Sequence, residues 1–529
     1  MDAVHLFELA LAMLFAVIAL HFLAGRFGLP PAVALITGGA LLAFVPGLPL
    51  LSLDPGLVLV VFLPPLLMDG AWFIPLRQLR SHLIGILSLA IGAVVFTTVV
   101  VAVVTHALLP SLPWAACAAL GAIVSPPDAI SARAVLQRVK LPHRLSILLE
   151  GESLLNDATG LVLFRFAVAA AVSGAFSAMD AFGSFLLLAF GGAAVGAAIG
   201  AAWVVLARRL RDDYLVIVFS VLVAWTAYVI AEKVQVSGVI ATVVAGLVCG
   251  WYQHDVFSAA VRMRGTSFWT VLIFLLEATV FMLIGSSLRE VIDRAGGLGV
   301  VVDDMAIPIG LILLAMTLAR FAWVFGCDAL IGIQCALGWT RFEPVGPRAA
   351  TVLSWAGMRG VVTLAVALSV PATMPGRDFL LVTAFAVILG TVLIQGTTLG
   401  VIIRWARLPG AHSGHVARLG MSQAEAAMAE AQLKLLEQRA YAADGTLVHP
   451  QLLERYRTRA RASAIYAGNE QLHQPRLHAH FDLVLEAVAV GRAELLRLHR
   501  KGDIDDRTLH ELEHDLDLEE LGALSAKAS

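Results

Sequence analysis

Charged residues are scarce in this chain of 529 residues, of which Asp, Glu, Lys and Arg make up 14%. A soluble domain carries about 25%. Hydrophobic residues make up 59%, and the mean hydropathy is +0.84. The formal net charge is −2, so nothing in the charge balance indicates a nucleic-acid partner. The composition excludes an ordinary soluble domain and favours a membrane protein.

Cysteine is also rare, and its spacing matters more than its number. The chain has no CxxC pair and no zinc-type spacing among its four cysteines, Cys117, Cys249, Cys327 and Cys335. Each lies in or beside an apolar segment, so we expect buried free thiols. Basic residues are too few at the N-terminus, and the first apolar segment too long, for a cleaved signal peptide. We expect no cofactor.

Long apolar runs, in contrast, recur through residues 1–410. A helix needs about 20 apolar residues to cross a bilayer. The pattern predicts an all-α polytopic membrane protein with about thirteen transmembrane helices. These predicted spans lie near 4–25, 29–48, 51–72, 83–109, 113–138, 145–174, 180–207, 213–232, 237–254, 268–289, 305–335, 348–371 and 378–404.

Lys and Arg are distributed unequally between the loops on the two sides of these spans. Sixteen lie on one side, near residues 26, 77–80, 133–144, 208–211, 262–264, 341–348 and 404–407, and four on the other. Cytoplasmic loops carry the excess of basic residues in membrane proteins. The sequence therefore predicts an N-terminus outside and a C-terminus inside the plasma (inner) membrane.

Two of the spans are interrupted. The fifth contains Ser125-Pro-Pro-Asp128 in an apolar run, and two prolines break a helix because each lacks an amide donor. Asp128 is then placed to cap a second half-helix. The twelfth contains Gly357-Met-Arg-Gly360, which puts the charge of Arg359 in mid-span. Either break alone is as consistent with a simple helix kink as with a transport site. The two spans are seven apart and cross in opposite directions, which predicts two inverted six-helix repeats with two broken, crossing helices at a transport site.

The stretch Glu150-Gly-Glu-Ser-Leu-Leu-Asn-Asp157 opens the sixth span with three carboxylates and an amide. On a helix, Ser153 and Asp157 share a face, and Glu152 and Asn156 share the adjacent one. A charge in the centre of a membrane helix costs about 2.5–3.5 kcal/mol, so such residues face a cavity or a partner. The alternative is a polar helix end at the membrane surface, but Asp157 is well inside the apolar run.

These three motifs together resemble the monovalent cation:proton antiporters of the Na+/H+ exchanger type (CPA1, NhaP-like). Phe62-Leu-Pro-Pro-Leu-Leu-Met-Asp69 and Val236-Ser-Gly-Val-Ile240 add to the resemblance, which covers about residues 1–405. In the tail, Arg492-Ala-Glu-Leu-Leu-Arg497 and Leu512-Glu-His-Asp-Leu-Asp-Leu-Glu519 look like the bacterial branch.

The resemblance implies a cation- and proton-binding site. Asp157 matches the aspartate that takes a cation or a proton in turn, and Asn156 the amide beside it in electroneutral exchangers. Ser153 matches a hydroxyl that contacts the cation, and Asp128 the aspartate of the first broken helix. Sodium prefers oxygen ligands, which Asp157, Asp128 and Ser153 offer.

Two positions depart from the family pattern, and one pairing stays open. Asp69 stands where the family often has glutamate, and Pro127 replaces a threonine, so that only its carbonyl remains as a ligand. Glu152 matches a buried glutamate that pairs with an arginine. For this supporting ion pair, Arg359 is the first choice and Arg320 the alternative.

The function expected from these residues is exchange of a monovalent cation for a proton, for pH and sodium homeostasis. A buried Asp157 that holds either a proton or a sodium ion, but not both, couples the two fluxes. Neutral Asn156 leaves one titrating carboxylate, which favours electroneutral exchange. K+ or Li+ instead of Na+, a cation channel, and an intramembrane protease with Asp128 and Asp157 as its dyad remain as alternatives.

The composition becomes polar after residue 410, which divides the chain into an antiporter domain, 1–410, and a tail, 411–529. Helical periodicity in the tail covers 422–441, 450–466, 480–501 and 505–522. The tail is expected to be a cytoplasmic helical segment, either a solvated appendage or an element of dimer contact or regulation. The expected partners are membrane lipid, cations and protons, and a second copy of the chain in a homodimer.

Overall fold

The structure is a computed structural model. It describes residues 3–45, 56, 58–128, 141–173, 178–339, 343–408, 421–441, 446–468, 470–501 and 503–528. The chain divides into two compact units, Met1–His412 and Ser413–Ser529. In the stretches just given, the regular structure is helical, and an isolated antiparallel bridge joins Tyr441 to Leu447.

The first unit consists of α-helices interrupted by short π-helical turns. The helices are α1 (Ala3–Phe27), α2 (Pro31–Ala43), α3 (Leu63–Phe73), α4 (Leu76–Ser81), α5 (Leu83–Leu87), α6 (Val94–Leu108), α7 (Trp114–Val124), α8 (His143–Ser173), α9 (Ala178–Ala207), α10 (Asp213–Lys233), α11 (Gly238–Val256), α12 (Ala259–Ser286), α13 (Leu288–Arg294), α14 (Leu298–Val300), α15 (Ala306–Ala336), α16 (Pro347–Trp355), α17 (Val361–Leu368), α18 (Arg377–Gly390) and α19 (Gly396–Ala406). The π-helical turns are Val58–Phe62, Ser88–Ala93, Val301–Met305 and Thr391–Gln395.

Each of the thirteen predicted spans contains helix in the described residues. Seven helical segments are long and apolar enough to cross a bilayer: Leu83–Leu108, Arg144–Val172, Gly183–Ala207, Asp213–Lys233, Ala259–Arg294, Leu298–Ala336 and Arg377–Ala406. Shorter apolar helices lie in the first, second, third and fifth predicted spans. The protein is therefore a multi-pass helical membrane protein, while the count of thirteen crossings stays a prediction.

Helix packing follows the symmetry expected of inverted repeats. If the second span corresponds to the ninth and the third to the tenth, then a contact of α2 with α12 requires an equivalent contact of α11 with α3. Both pairs pack together. Gly39 and Gly285 bring the first pair into backbone contact, and Gly246 and Gly250 do so in the second, since an added Cβ would overlap the facing helix.

The helices of this unit form two groups. In one, α6 and α7 pack on each other, α8 packs on α7, and α15 packs on α6 and α16. In the other, α1, α2 and α12 are joined to α3, α9, α10 and α11. Fewer contacts cross the seam between the groups; α2 meets the turn Thr391–Gln395 there, and α8 meets α11. Arg165 of α8 also reaches across it to Glu232 of α10, at 3.1 Å.

The four cysteines are free thiols. Cys117 and Cys249 are buried as expected, whereas Cys327 and Cys335 are half-buried. Cys327 and Cys335 lie on α15, a helix that exposes much of its apolar surface.

The second unit is a set of helices, α20 (Met421–Arg439), α21 (Pro450–Gly468), α22 (Glu470–Lys501) and α23 (Asp506–Ala528). Each overlaps one predicted helical run, although α22 begins ten residues before its run and α23 ends six residues after its run. Helices α22 and α23 pack together, and Arg492 joins them by ion pairs to Asp517 at 2.6 Å and Glu520 at 2.7 Å.

Part of the sequence argument lies outside the described residues. The second half of the fifth span, which Asp128 was expected to cap, is in residues 129–140. Four basic residues of the orientation argument, Arg133, Arg138, Lys140 and Arg341, also lie there or in 340–342. Orientation of the termini therefore stays a prediction.

Candidate functional site, an ion site where two broken helices cross

The first break begins where the sequence predicts it. Helix α7 ends at Val124, directly before Ser125 and the two prolines, and the backbone from Ser125 to Asp128 is not helical. The second break separates α16, which ends at Trp355, from α17, which begins at Val361. Both breaks leave backbone groups without helical partners.

The two breaks meet and satisfy some of each other's backbone groups. The N–H of Asp128 donates to the carbonyl of Met358 at 2.6 Å. The carboxylate of Asp128 lies against Gly360, where any Cβ would overlap its Oδ2. A Cβ at Gly360 therefore fits only if the Asp128 carboxylate moves away. The two breaks thus lie against each other, as the prediction of two crossing broken helices requires.

Arg359 is almost fully buried, at 2% exposure. Its guanidinium donates to the carbonyls of Val124 at 2.7 Å, Ser125 at 3.1 Å, and Gly357. The last carbonyls of a helix lack helical partners and carry partial negative charge, so a cation stabilises them. Arg359 thus caps the C-terminal end of α7 across the crossing.

The buried partner of Glu152 is Arg320. Two parallel hydrogen bonds, of 2.6 and 2.9 Å, join the guanidinium of Arg320 to the two carboxylate oxygens. Arg320 also donates to the carbonyl of Leu353 in α16. The expected first choice, Arg359, is wrong for this structure, because its donors are taken by the carbonyls at the end of α7. The alternative, Arg320, forms the pair.

Asn156 and Asp157 are neighbours on α8, and Asn156 faces the first break. Nδ2 of Asn156 donates to the carbonyl of Pro127 at 2.5 Å. Its Oδ1 is buried and has no hydrogen-bond partner in the described residues. Asp157 is 7% exposed. Gly160, one turn later, lets α8 approach Pro126 so closely that a Cβ would overlap the proline ring.

The remaining predicted ligands differ in burial and in the element that carries them. Pro127 is buried and its carbonyl faces Asn156, whereas Asp128 and Ser153 are half-buried. Asp69 is half-buried near the end of α3, in the other group of helices. The structure thus brings Asp157, Asn156, Pro127 and Asp128 to the crossing, with Asp69 across the seam.

The sequence analysis did not predict the contacts of two residues, Thr391 and Arg165. The hydroxyl of Thr391, in the thirteenth span, accepts a hydrogen bond from the backbone N–H of Arg359 at 3.1 Å. This bond attaches the second break to the thirteenth span. Arg165, in mid-helix, pairs with Glu232. Arg165 could have been found, because an arginine in an apolar span indicates a polar partner. A threonine in an apolar helix carries no such signal.

Comparison with known proteins settles the family. Residues 10–405 match the sequence profile described as sodium/hydrogen exchanger, transmembrane. The chain belongs to this family. The exchanger is 32% identical to a protein of Mycobacterium tuberculosis named as an uncharacterized Na(+)/H(+) exchanger, over 97% of this chain and 95% of that one. It is also 32% identical, over 74% of its length and 61% of the other's, to the sodium, potassium, lithium and rubidium/H(+) antiporter of Bacillus subtilis.

A solved structure shows the same fold. The exchanger resembles the sodium proton antiporter MjNhaP1 of Methanocaldococcus jannaschii with a TM-score of 0.59 and 19% identity, over 75% of this chain and 97% of that one. The predicted fold class is confirmed. Because the family consists of transporters, the expectation that the chain is not an enzyme is confirmed too, and the alternative of an intramembrane protease is wrong.

Replacing Gly360 tests the contact between the breaks. We expect Gly360→Ala to reduce cation-driven proton movement in vesicles strongly, because the new Cβ displaces the Asp128 carboxylate from the crossing. Gly326→Ala is the matched control, since Gly326 lies on helix α15 with open space around its Cα. That change should leave transport unaltered. Equal transport by both variants would show that the position of the Asp128 carboxylate does not matter.

Proposed function

We propose that this exchanger carries one monovalent cation against one proton across the plasma membrane, with Asp157 as the group that holds either ion. The observation that carries the proposal is that the polar neighbours of Asp157 on α8 already have partners. Asn156 is neutral and bonded to Pro127, and Glu152 is paired with Arg320. Asp157 is thus a buried carboxylate of α8 that takes part in none of the ion pairs between the described residues.

The oxygen atoms around Asp157 suit a hard cation. Carboxylates of Asp157 and Asp128, the hydroxyl of Ser153 and the carbonyl of Pro127 are such donors, and Asp69 adds another from α3. The Pro127 carbonyl already accepts from Asn156, but a carbonyl has a second lone pair. Each of these residues is proposed as a ligand of the transported Na+, with Asp157, Asp128 and Ser153 nearest to it.

Charge balance favours electroneutral exchange. Glu152 and Arg320 form an ion pair and cancel each other. In a count of formal charges at the crossing, Arg359 and Asp128 add one charge of each sign. The remaining charge at the crossing itself, where Asp69 across the seam is not counted, is that of Asp157, and a sodium ion and a proton neutralise it equally. The site then has the same net charge in both loaded states, so exchange of one for one moves no net charge across the membrane.

The identity of the cation is the open part of the proposal. We propose Na+, with Li+ or K+ as alternatives and K+/H+ exchange as the second candidate function. The name of the Bacillus subtilis relative, which includes sodium, potassium, lithium and rubidium, favours testing all of them. Further parts of the proposal are a homodimer, an external N-terminus and a cytoplasmic tail, with a role in pH and sodium homeostasis.

Flux measurements in proteoliposomes test this function. Proton movement is followed while Na+, Li+, K+ and Rb+ are added in turn, with the membrane potential free and then clamped at zero. We expect saturable exchange that the clamp does not alter. Asn156→Asp adds a second ionisable group, and exchange should then depend on the potential. Non-saturating cation flux without proton movement would instead indicate a channel.

A further inference from the structure

A second buried amide oxygen lies near the crossing. Gln395 ends the π-helical turn Thr391–Gln395 in the thirteenth span and is 5% exposed. Its Oε1 is fully buried, and no hydrogen bond to it occurs among the described residues. A buried polar group without a partner costs free energy, so a structure that retains one calls for an explanation.

The turn that contains Gln395 is attached to the second break. Four residues earlier, Thr391 accepts the N–H of Arg359. Directly after Gln395, a Cβ on Gly396 would lie 3.3 Å from Sδ of Met358 and 3.5 Å from Cγ2 of Val33. Met358 belongs to the second break and Val33 to α2. Gln395 therefore lies where the second break meets the seam between the two groups of helices.

The first repeat also has a buried amide on the helix that follows its break, but there the amide itself is bonded to the break. There, Asn156 of the sixth span bonds to the first break through Nδ2 while its Oδ1 has no partner in the described residues. The sixth and thirteenth spans occupy equivalent places in the two repeats. Within the described residues, each repeat thus has a buried amide oxygen without a hydrogen-bond partner on the helix that follows its broken helix.

The π-helical turn supports a functional reading of Gln395. A π-helical turn inserts one residue into a helix and is often found at functional sites. Here it lies between α18 and α19, and it meets α2 across the seam. A cation that enters a protein interior loses water, and buried oxygens can replace part of its hydration shell.

We propose that Oε1 of Gln395 is an oxygen ligand for the partly dehydrated monovalent cation on its way to Asp157. The inference rests on the proposed function and adds a specificity-determining residue from the second repeat. Gln395 lowers the free energy of the cation at the seam, so its loss raises the cation concentration needed for transport. A smaller cation, which holds water more strongly, depends on it more.

Two substitutions on one helical segment test this. Gln395→Leu keeps the approximate size and removes the oxygen. Thr383→Val is the matched control, because Oγ1 of Thr383 in α18 is also buried without a partner in the described residues, two turns away from Thr391. We expect Gln395→Leu to raise the apparent KM for Na+ by at least about threefold, whereas Thr383→Val leaves it unchanged. Gln395→Glu, which retains an oxygen, should restore the KM at high pH.

Thermal unfolding shows whether Gln395 coordinates the cation or only stabilises the fold. Removing an unpartnered buried oxygen should not lower the Tm measured without cation, but it should reduce the rise in Tm that added Na+ produces. A Gln395→Leu variant with an unchanged KM and an unchanged Na+-dependent rise in Tm would overturn the inference. A lowered Tm with an unchanged KM would overturn it as well. Absence of exchange in the wild-type protein would instead contradict the proposed function.

Discussion

Asp157→Asn is expected to reduce both cation uptake and proton release to the level of empty vesicles. Asparagine has nearly the same shape as aspartate but cannot ionise, so it holds neither a proton nor a sodium ion by charge. The helix should remain intact, because Asp157 is buried beside Asn156, which continues to bond Pro127. Flux of both ions, measured in the same sealed vesicles, tests the expectation.

Competition between the two ions provides a second readout at Asp157. If both use one carboxylate, the apparent KM for the cation rises as the pH falls, while the maximal rate at saturating cation changes less. Asp293→Asn is a suitable control, since it makes the same chemical change at an exposed carboxylate that pairs only loosely with Arg289, at 3.7 Å. Substantial exchange by Asp157→Asn would disprove the mechanism, whereas loss of exchange in the control would indicate damage to the preparation.

The Glu152→Gln variant is expected to lose much of its thermal stability. Removing one partner of a buried ion pair costs about 3–5 kcal/mol, because the other charge is left buried alone. Both side chains of this pair are almost inaccessible, at 4% for Arg320 and 2% for Glu152. Arg320→Lys should also destabilise the protein, since a lysine cannot form the two parallel hydrogen bonds.

A double-mutant cycle measures the pairing itself. Glu152→Gln combined with Arg320→Gln should be less harmful than the sum of the two single changes, because no charge is then stranded. The pair Glu290 and Arg294 serves as a control, since it is solvent-accessible and four residues apart on one helix. Its coupling should be about 0.3–0.5 kcal/mol. Additive effects at Glu152 and Arg320, or stronger coupling of Glu152 to Arg359, would contradict the assignment.

Some features of this protein follow from the sequence because their causes are local. Pro126 and Pro127 remove amide donors from an apolar run, so α7 ends just before them whatever surrounds it. Asn156 and Asp157 are adjacent in the chain, so they share one helix turn. Apolar runs of membrane-spanning length predict helices without knowledge of their neighbours. The composition change near residue 410 likewise needs no tertiary contact.

The tertiary structure alone decided how the charges pair. Glu152 is 168 residues from Arg320 in sequence, and both candidate arginines lie in apolar spans, so composition and periodicity could not choose between them. The choice depends on where the broken helices cross, because the crossing puts the carbonyls of Val124 and Ser125 within reach of Arg359 and thereby leaves Arg320 to Glu152. Tertiary packing also decides that Oε1 of Gln395 has no hydrogen-bond partner among the described residues. Whether a buried polar atom has a partner is determined by helices distant in sequence, whose relative positions only packing sets.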